Sequence, residues 1–103
     1  MTSEIAERLH RFKIETGAQS AHFCMFMREG CLAIVPCREG RFAELGSTGL
    51  ALDRGLAYLV HRDGGYLLAG HNFEVPAEPE QVEKILRFSA DLKAALDFES
   101  SST

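Results

Sequence analysis

The sequence predicts an α+β fold: an antiparallel sheet of four or five strands built from two hairpins, with an N-terminal and a C-terminal helix packed on one of its faces. Three observations lead there. Residues 56–75, LAYLVHRDGGYLLAGHNFEV, are two apolar arms around Asp63-Gly64-Gly65, and Asp-Gly or Gly-Gly suits a tight hairpin turn that needs positive φ. Residues 20–37 repeat the pattern around Glu29-Gly30. The two ends of the chain carry apolar residues at helical spacing.

Residues 3–16 read as an amphipathic helix. Ser3 is placed to cap it, Glu4 and Glu7 lie in the first turn where the helix dipole favours acids, and Ile5, Leu9 and Phe12 form a narrow apolar stripe. Glu4–Arg8 and Glu7–Arg11 are spaced for i,i+4 ion pairs, and Gly17 is a natural stop. In the first hairpin, a turn at Glu29-Gly30 sets Arg28 against Cys31, Phe26 against Ala33, Cys24 against Val35 and His22 against Cys37. Alternation then puts Phe23, Met25, Met27, Leu32 and Ile34 on one face, which reads as the core side. Cys24, Phe26, Ala33 and Val35 fall on the other face and read as the bare side. Pro36 cannot donate to a ladder and suggests a strand end or an edge.

Residues 38–55 are the least regular. Arg41-Phe42-Ala43-Glu44-Leu45 fits a short third strand or one helical turn, and Ser47 or Thr48 could cap a short helix closed by Gly55. In the second hairpin His61 faces Tyr66 and Val60 faces Leu67; Tyr58, Val60, Leu67 and Ala69 share one face, and Leu59, His61, Tyr66 and Leu68 the other. Both faces are apolar near the centre, as expected of a central position in the sheet. Pro79 then suits the first position of a C-terminal helix whose stripe is Val82, Ile85, Leu86, Leu92 and Leu96, with Glu80–Lys84 and Glu83–Arg87 as i,i+4 pairs. Residues 1–98 therefore read as a single domain and residues 99–103 as a disordered polar tail.

Composition narrows the function classes. A net charge of −4 with scattered basic residues argues against nucleic-acid binding. There is no apolar run of membrane-spanning length and no basic-then-apolar leader, and three cysteines suggest reduced thiols, so a cytoplasmic protein without membrane association is expected. Two sets of residues are candidates for chemistry. His22, Cys24 and Cys37 share a face and offer soft ligands to zinc or a transition metal, although no Cys-x-x-Cys pair is present. His61, Tyr66 and His71 on the second hairpin could contact a ligand. Gly46-Ser47-Thr48-Gly49 has the composition of a phosphate-cradling loop but lacks the lysine of a P-loop, and reads as a flexible turn. No motif supplies a catalytic residue or implies a cofactor.

The order helix, hairpin, irregular segment, hairpin, helix resembles, in architecture alone, roadblock-type dimerisation modules and the small acidic chaperones of type III secretion. Residues 38–55 are shorter than the middle helix of either. Two helices cover one face of a sheet better than two, so a second face needs a partner. The expectation is a non-catalytic protein-interaction module, adaptor-like or chaperone-like and homodimeric. The alternative is a small ligand- or metal-binding protein using the His/Cys cluster.

Overall fold

The computed structural model describes residues 3–38, 41–42, 45 and 48–96. Helix α1 (Ser3–Arg11) is followed by β1 (Glu15–Gln19), β2 (Phe23–Arg28), β3 (Cys31–Arg38), β4 (Arg41–Phe42), β5 (Thr48–Leu52), β6 (Gly55–Arg62), β7 (Gly65–Gly70), β8 (Phe73–Pro76) and helix α2 (Pro79–Leu96). The fold is α+β with an antiparallel sheet and one helix at each end of the chain. The sheet has eight strands among the described residues, more than the four or five expected. Its order is β1-β2-β3-β5-β6-β7-β8, with β4 pairing only with β3.

Both hairpins take the register that their turns dictate. Arg28 pairs with Cys31, Phe26 with Ala33 and Cys24 with Val35; His61 pairs with Tyr66 and Val60 with Leu67. Glu29 and Gly30 (φ 48° and 86°) and Asp63 and Gly64 (φ 53° and 77°) occupy the left-handed region that two-residue hairpin turns require. The Cys37 amide donates to the His22 carbonyl at 2.8 Å, which turns the nitrogen of Pro36, one residue earlier, away from β2. There β3 passes between its pairing with β5, which reaches Ala33, and its pairing with β4, which begins at Cys37. The missing N–H of Pro36 therefore costs no ladder bond, and β3 continues to Arg38 instead of ending.

Three sequence expectations are corrected here. The first helix stops at Arg11, not at residue 16, and residues 15–19 form edge strand β1. The Ile14 amide donates to the Leu9 carbonyl (2.9 Å) and the Lys13 amide to the His10 carbonyl (3.0 Å), with Lys13 at φ 61°. This is a Schellman closure, clamped by Leu9 and Ile14 in the core, and it makes Lys13 rather than Gly17 the stop. Residues 48–52 form strand β5 instead of starting a short helix. Gly46 and Ser47 of the glycine-rich loop, and the polar tail, lie outside the described residues.

The third correction inverts the faces of the sheet. Cys24, Phe26, Cys31, Ala33 and Val35 are the buried side, each no more than 4% exposed. They form one core with Leu50, Ala57 and Leu68 from the sheet, with Leu9 and Ile14, and with Ile85, Phe88, Leu92, Ala95 and Leu96 of α2. The physical reason is bulk. Cysteine and alanine let the long α2 backbone approach the sheet, whereas the Phe-Met-Met series would hold it away. Phe23, Met25, Met27 and Ile34 are instead half-buried on the opposite face. Alternation joins them there to Leu32, Ala51, Leu56, Tyr58, Val60, Leu67 and Ala69. Leu32, at the centre, is 4% exposed yet stands outside the core cluster. We call this side the open face.

Helix α2 starts with one arm of a capping box: the Glu78 amide donates to Gln81 Oε1 at 2.8 Å, ahead of Pro79 at the first helical position. Arg8 Nε of α1 donates to the Ala95 carbonyl at 2.8 Å, tying α1 to the last turn of α2. Of the expected i,i+4 pairs, Glu83–Arg87 closes at 2.7 Å and Glu4–Arg8 stands at 4.0 Å.

Candidate functional site

Three regions carry chemistry or exposed apolar surface. The first is the His/Cys set. Cys24 and Cys37 share the helix side of β2 and β3, and His22 lies in the bend just before β2, its carbonyl accepting from the Cys37 amide; the three differ in depth. Cys24 is buried in the core, Cys37 is half-buried and His22 is exposed. Burial pushes the Cys24 thiol above its ordinary pKa, and the neighbouring Cys37 adds to the shift. Cys31 is raised as well, by burial first; Glu29 adds to the shift, and the positive charges of Lys84 and Arg28 offset part of it. Two of the three thiols are thus held in the protonated, unreactive form, the reverse of what a thiolate ligand or nucleophile needs. Among the described residues no group of three or more His, Cys, Asp or Glu is arranged to hold a metal ion.

The second region is the His61, Tyr66 and His71 set. His61 and Tyr66 pair across β6 and β7 with ring centroids 4.9 Å apart and planes tilted by 43°. His71 is exposed in the turn at the other end of β7, next to Asn72 at φ 65°. Five residue steps of nearly extended chain, about 16 Å, separate Tyr66 from His71. The structure therefore brings His61 and Tyr66 together and leaves His71 apart. Tyr66 does border an open groove of about 780 Å³, lined also by Ala77, Pro79, Val82 and Leu86, with Glu83 and Arg87 at its side. Tyr66 and Leu86 are 38% and 47% exposed. Composition did not reveal this groove, because it forms only where the last turn of the ribbon meets the N-terminal half of α2.

The third region is the open face. Among the described residues its centre carries no charged side chain, and its ionisable residues stand around the edge. Glu15 lies opposite Met27 at the β1 side, and Arg38 ends β3. Arg62 and Glu74 form an ion pair of 3.1 Å at the β6–β8 side. An apolar centre inside a polar rim is the anatomy of a protein-binding surface. The sequence signals it, since Phe23, Met25, Met27, Leu32 and Ile34 form one apolar set. What was missing was the knowledge that the helices lie on the other side.

No family model, curated protein or solved structure matches the chain. No helix among the described residues is long and apolar enough to cross a membrane.

Proposed function

We propose that this protein is a non-catalytic protein-interaction module, adaptor-like or chaperone-like, that works through the open face of its sheet. One observation carries the reading: on the side opposite both helices, a surface with an apolar centre spans β2, β3, β5, β6 and β7, with Arg38 and the Arg62–Glu74 ion pair towards its margin. With strands about 4.8 Å apart and about 15 Å of each on this side, the five apolar strands present a footprint of roughly 350 Å², and the whole face, edge strands included, roughly 450 Å². Apolar patches above a few hundred Å² generally mark contact sites. Burial holds the Cys24 and Cys31 thiols protonated, which suits them to packing.

The groove beside Tyr66 favours a second reading, binding of a small apolar ligand, because its volume lies within the usual range of ligand sites. One experiment separates the two. An apolar fluorescent probe is titrated into sub-micromolar protein and into Ile34→Lys, Leu67→Lys and Leu86→Lys. Binding lost in the first two and kept in the third supports the interaction face. Binding lost only with Leu86→Lys overturns it in favour of the groove.

A further inference from the structure

We infer that the occupant of the open face is a second copy of this chain, packed face to face about a two-fold axis. The inference rests on the interaction-face reading above and names its partner. The first argument is size. Two whole-face footprints of roughly 450 Å², edge strands included, remove about 900 Å² in projection, and side-chain relief raises this to the ~1,000 Å² that a specific interface must clear.

The second argument is self-complementarity. In a two-fold interface each surface must fit itself, so the patch needs both protrusions and recesses. Tyr58 stands between Gly49 and Ala69 and Leu56 pairs with Ala51, while Phe23 and Met25 rise on β2 of the same face. A bulky residue of one copy can therefore seat on a small one of the other, and the methionines can adjust to the remaining gaps. The third argument is charge. A chain of net charge −4 repels its own copies, and like charges near a two-fold axis would meet each other. Among the described residues the centre carries none, and the rim carries both signs, with Arg62 and Glu74 already neutralising one another.

The test is the oligomeric state of the full chain, by sedimentation equilibrium from low to high micromolar concentration. The expected species has twice the 11.4 kDa chain mass. Val60→Lys and Val60→Glu are each expected to sediment as monomers with native circular dichroism, and their mixture to recover the dimer. Met25→Lys, on the far half of the patch, is a second monomerising variant should the Val60 pair fail to fold. A wild-type monomer that still binds the apolar probe overturns self-association and leaves the interaction face standing for another partner. A wild-type monomer that binds no probe overturns both. A dimer that persists in both Val60→Lys and Met25→Lys overturns this face as the dimer site.

Discussion

Lys13 holds a backbone conformation that glycine adopts without penalty, and the end of α1 depends on it. A left-handed conformation costs an ordinary residue about 1–2 kcal/mol. Replacing Lys13 by glycine removes that cost but adds about 0.4–1 kcal/mol of unfolded-state entropy to be lost. The relief is the larger of the two, so Lys13→Gly is expected to stabilise by about 0.5–1 kcal/mol, read as a higher urea midpoint with an unchanged slope. The buried thiols make a second prediction at this scale. Cys24 and Cys31 have folded-state pKa values raised above the ordinary 9.0 by burial. The protonated form is favoured in the fold, so their contribution is complete below pH 9.0 and is lost as pH rises from there towards the folded value. Stability measured across that window should fall less steeply in Cys31→Ala than in the wild type. Under native conditions near neutral pH, a thiol-alkylating reagent should label the half-buried Cys37 first, and the other two cysteines only at the rate of unfolding.

At the scale of elements, Arg28 is the strut that joins β2, the end of α1 and α2. Its Nη1 donates to Asp91 Oδ2 at 2.8 Å and to the Phe12 carbonyl at 3.1 Å, and the guanidinium lies 5.6 Å from the Phe88 ring centre. The Arg28 side chain is only 16% exposed, so removing its carboxylate leaves a charge that water reaches poorly. Asp91→Ala is expected to cost about 2 kcal/mol in denaturant titration. The double variant Arg28→Met/Asp91→Leu should recover part of that loss, since no charge is then stranded. The same region shows why some elements were legible in sequence and others were not. The hairpins were readable residue by residue because a two-residue turn fixes every pair that follows it. Strand β1, ETGAQ, is exposed at four of its five positions and carries no alternation, so only its pairing with β2 makes it a strand. The stop at Lys13 was hidden because lysine gives no local signal for a left-handed backbone. Strand β5 was masked by serine, threonine and glycine, which suggest caps and turns until β3 and β6 lie on either side. For the candidate sites, sequence placed His22, Cys24 and Cys37 on one face and paired His61 with Tyr66, but burial depth and the groove are tertiary properties. The side taken by the helices could not be read, because both faces of the first hairpin are apolar and only packing bulk decides between them.

For the whole molecule, two helices lie against one side of an eight-stranded sheet and the other side keeps its apolar centre. The proposed dimer buries that half-exposed surface by association. This ties stability to concentration. If unfolding separates two chains, each tenfold rise in concentration adds about 1.4 kcal/mol per dimer, or about 0.7 kcal/mol per chain. For a chain of this length a change of that size moves the thermal midpoint by about 3–5 °C. Scans at low and high micromolar protein should therefore give midpoints separated by that amount per decade, and Val60→Lys should bring them together. The groove variant Leu86→Lys alters a residue that is 47% exposed on the opposite side of the sheet, so it should keep the wild-type concentration dependence. A wild-type midpoint that stays fixed across the range would mean that the open face remains in water in the folded state, and the self-association argument would fail with it.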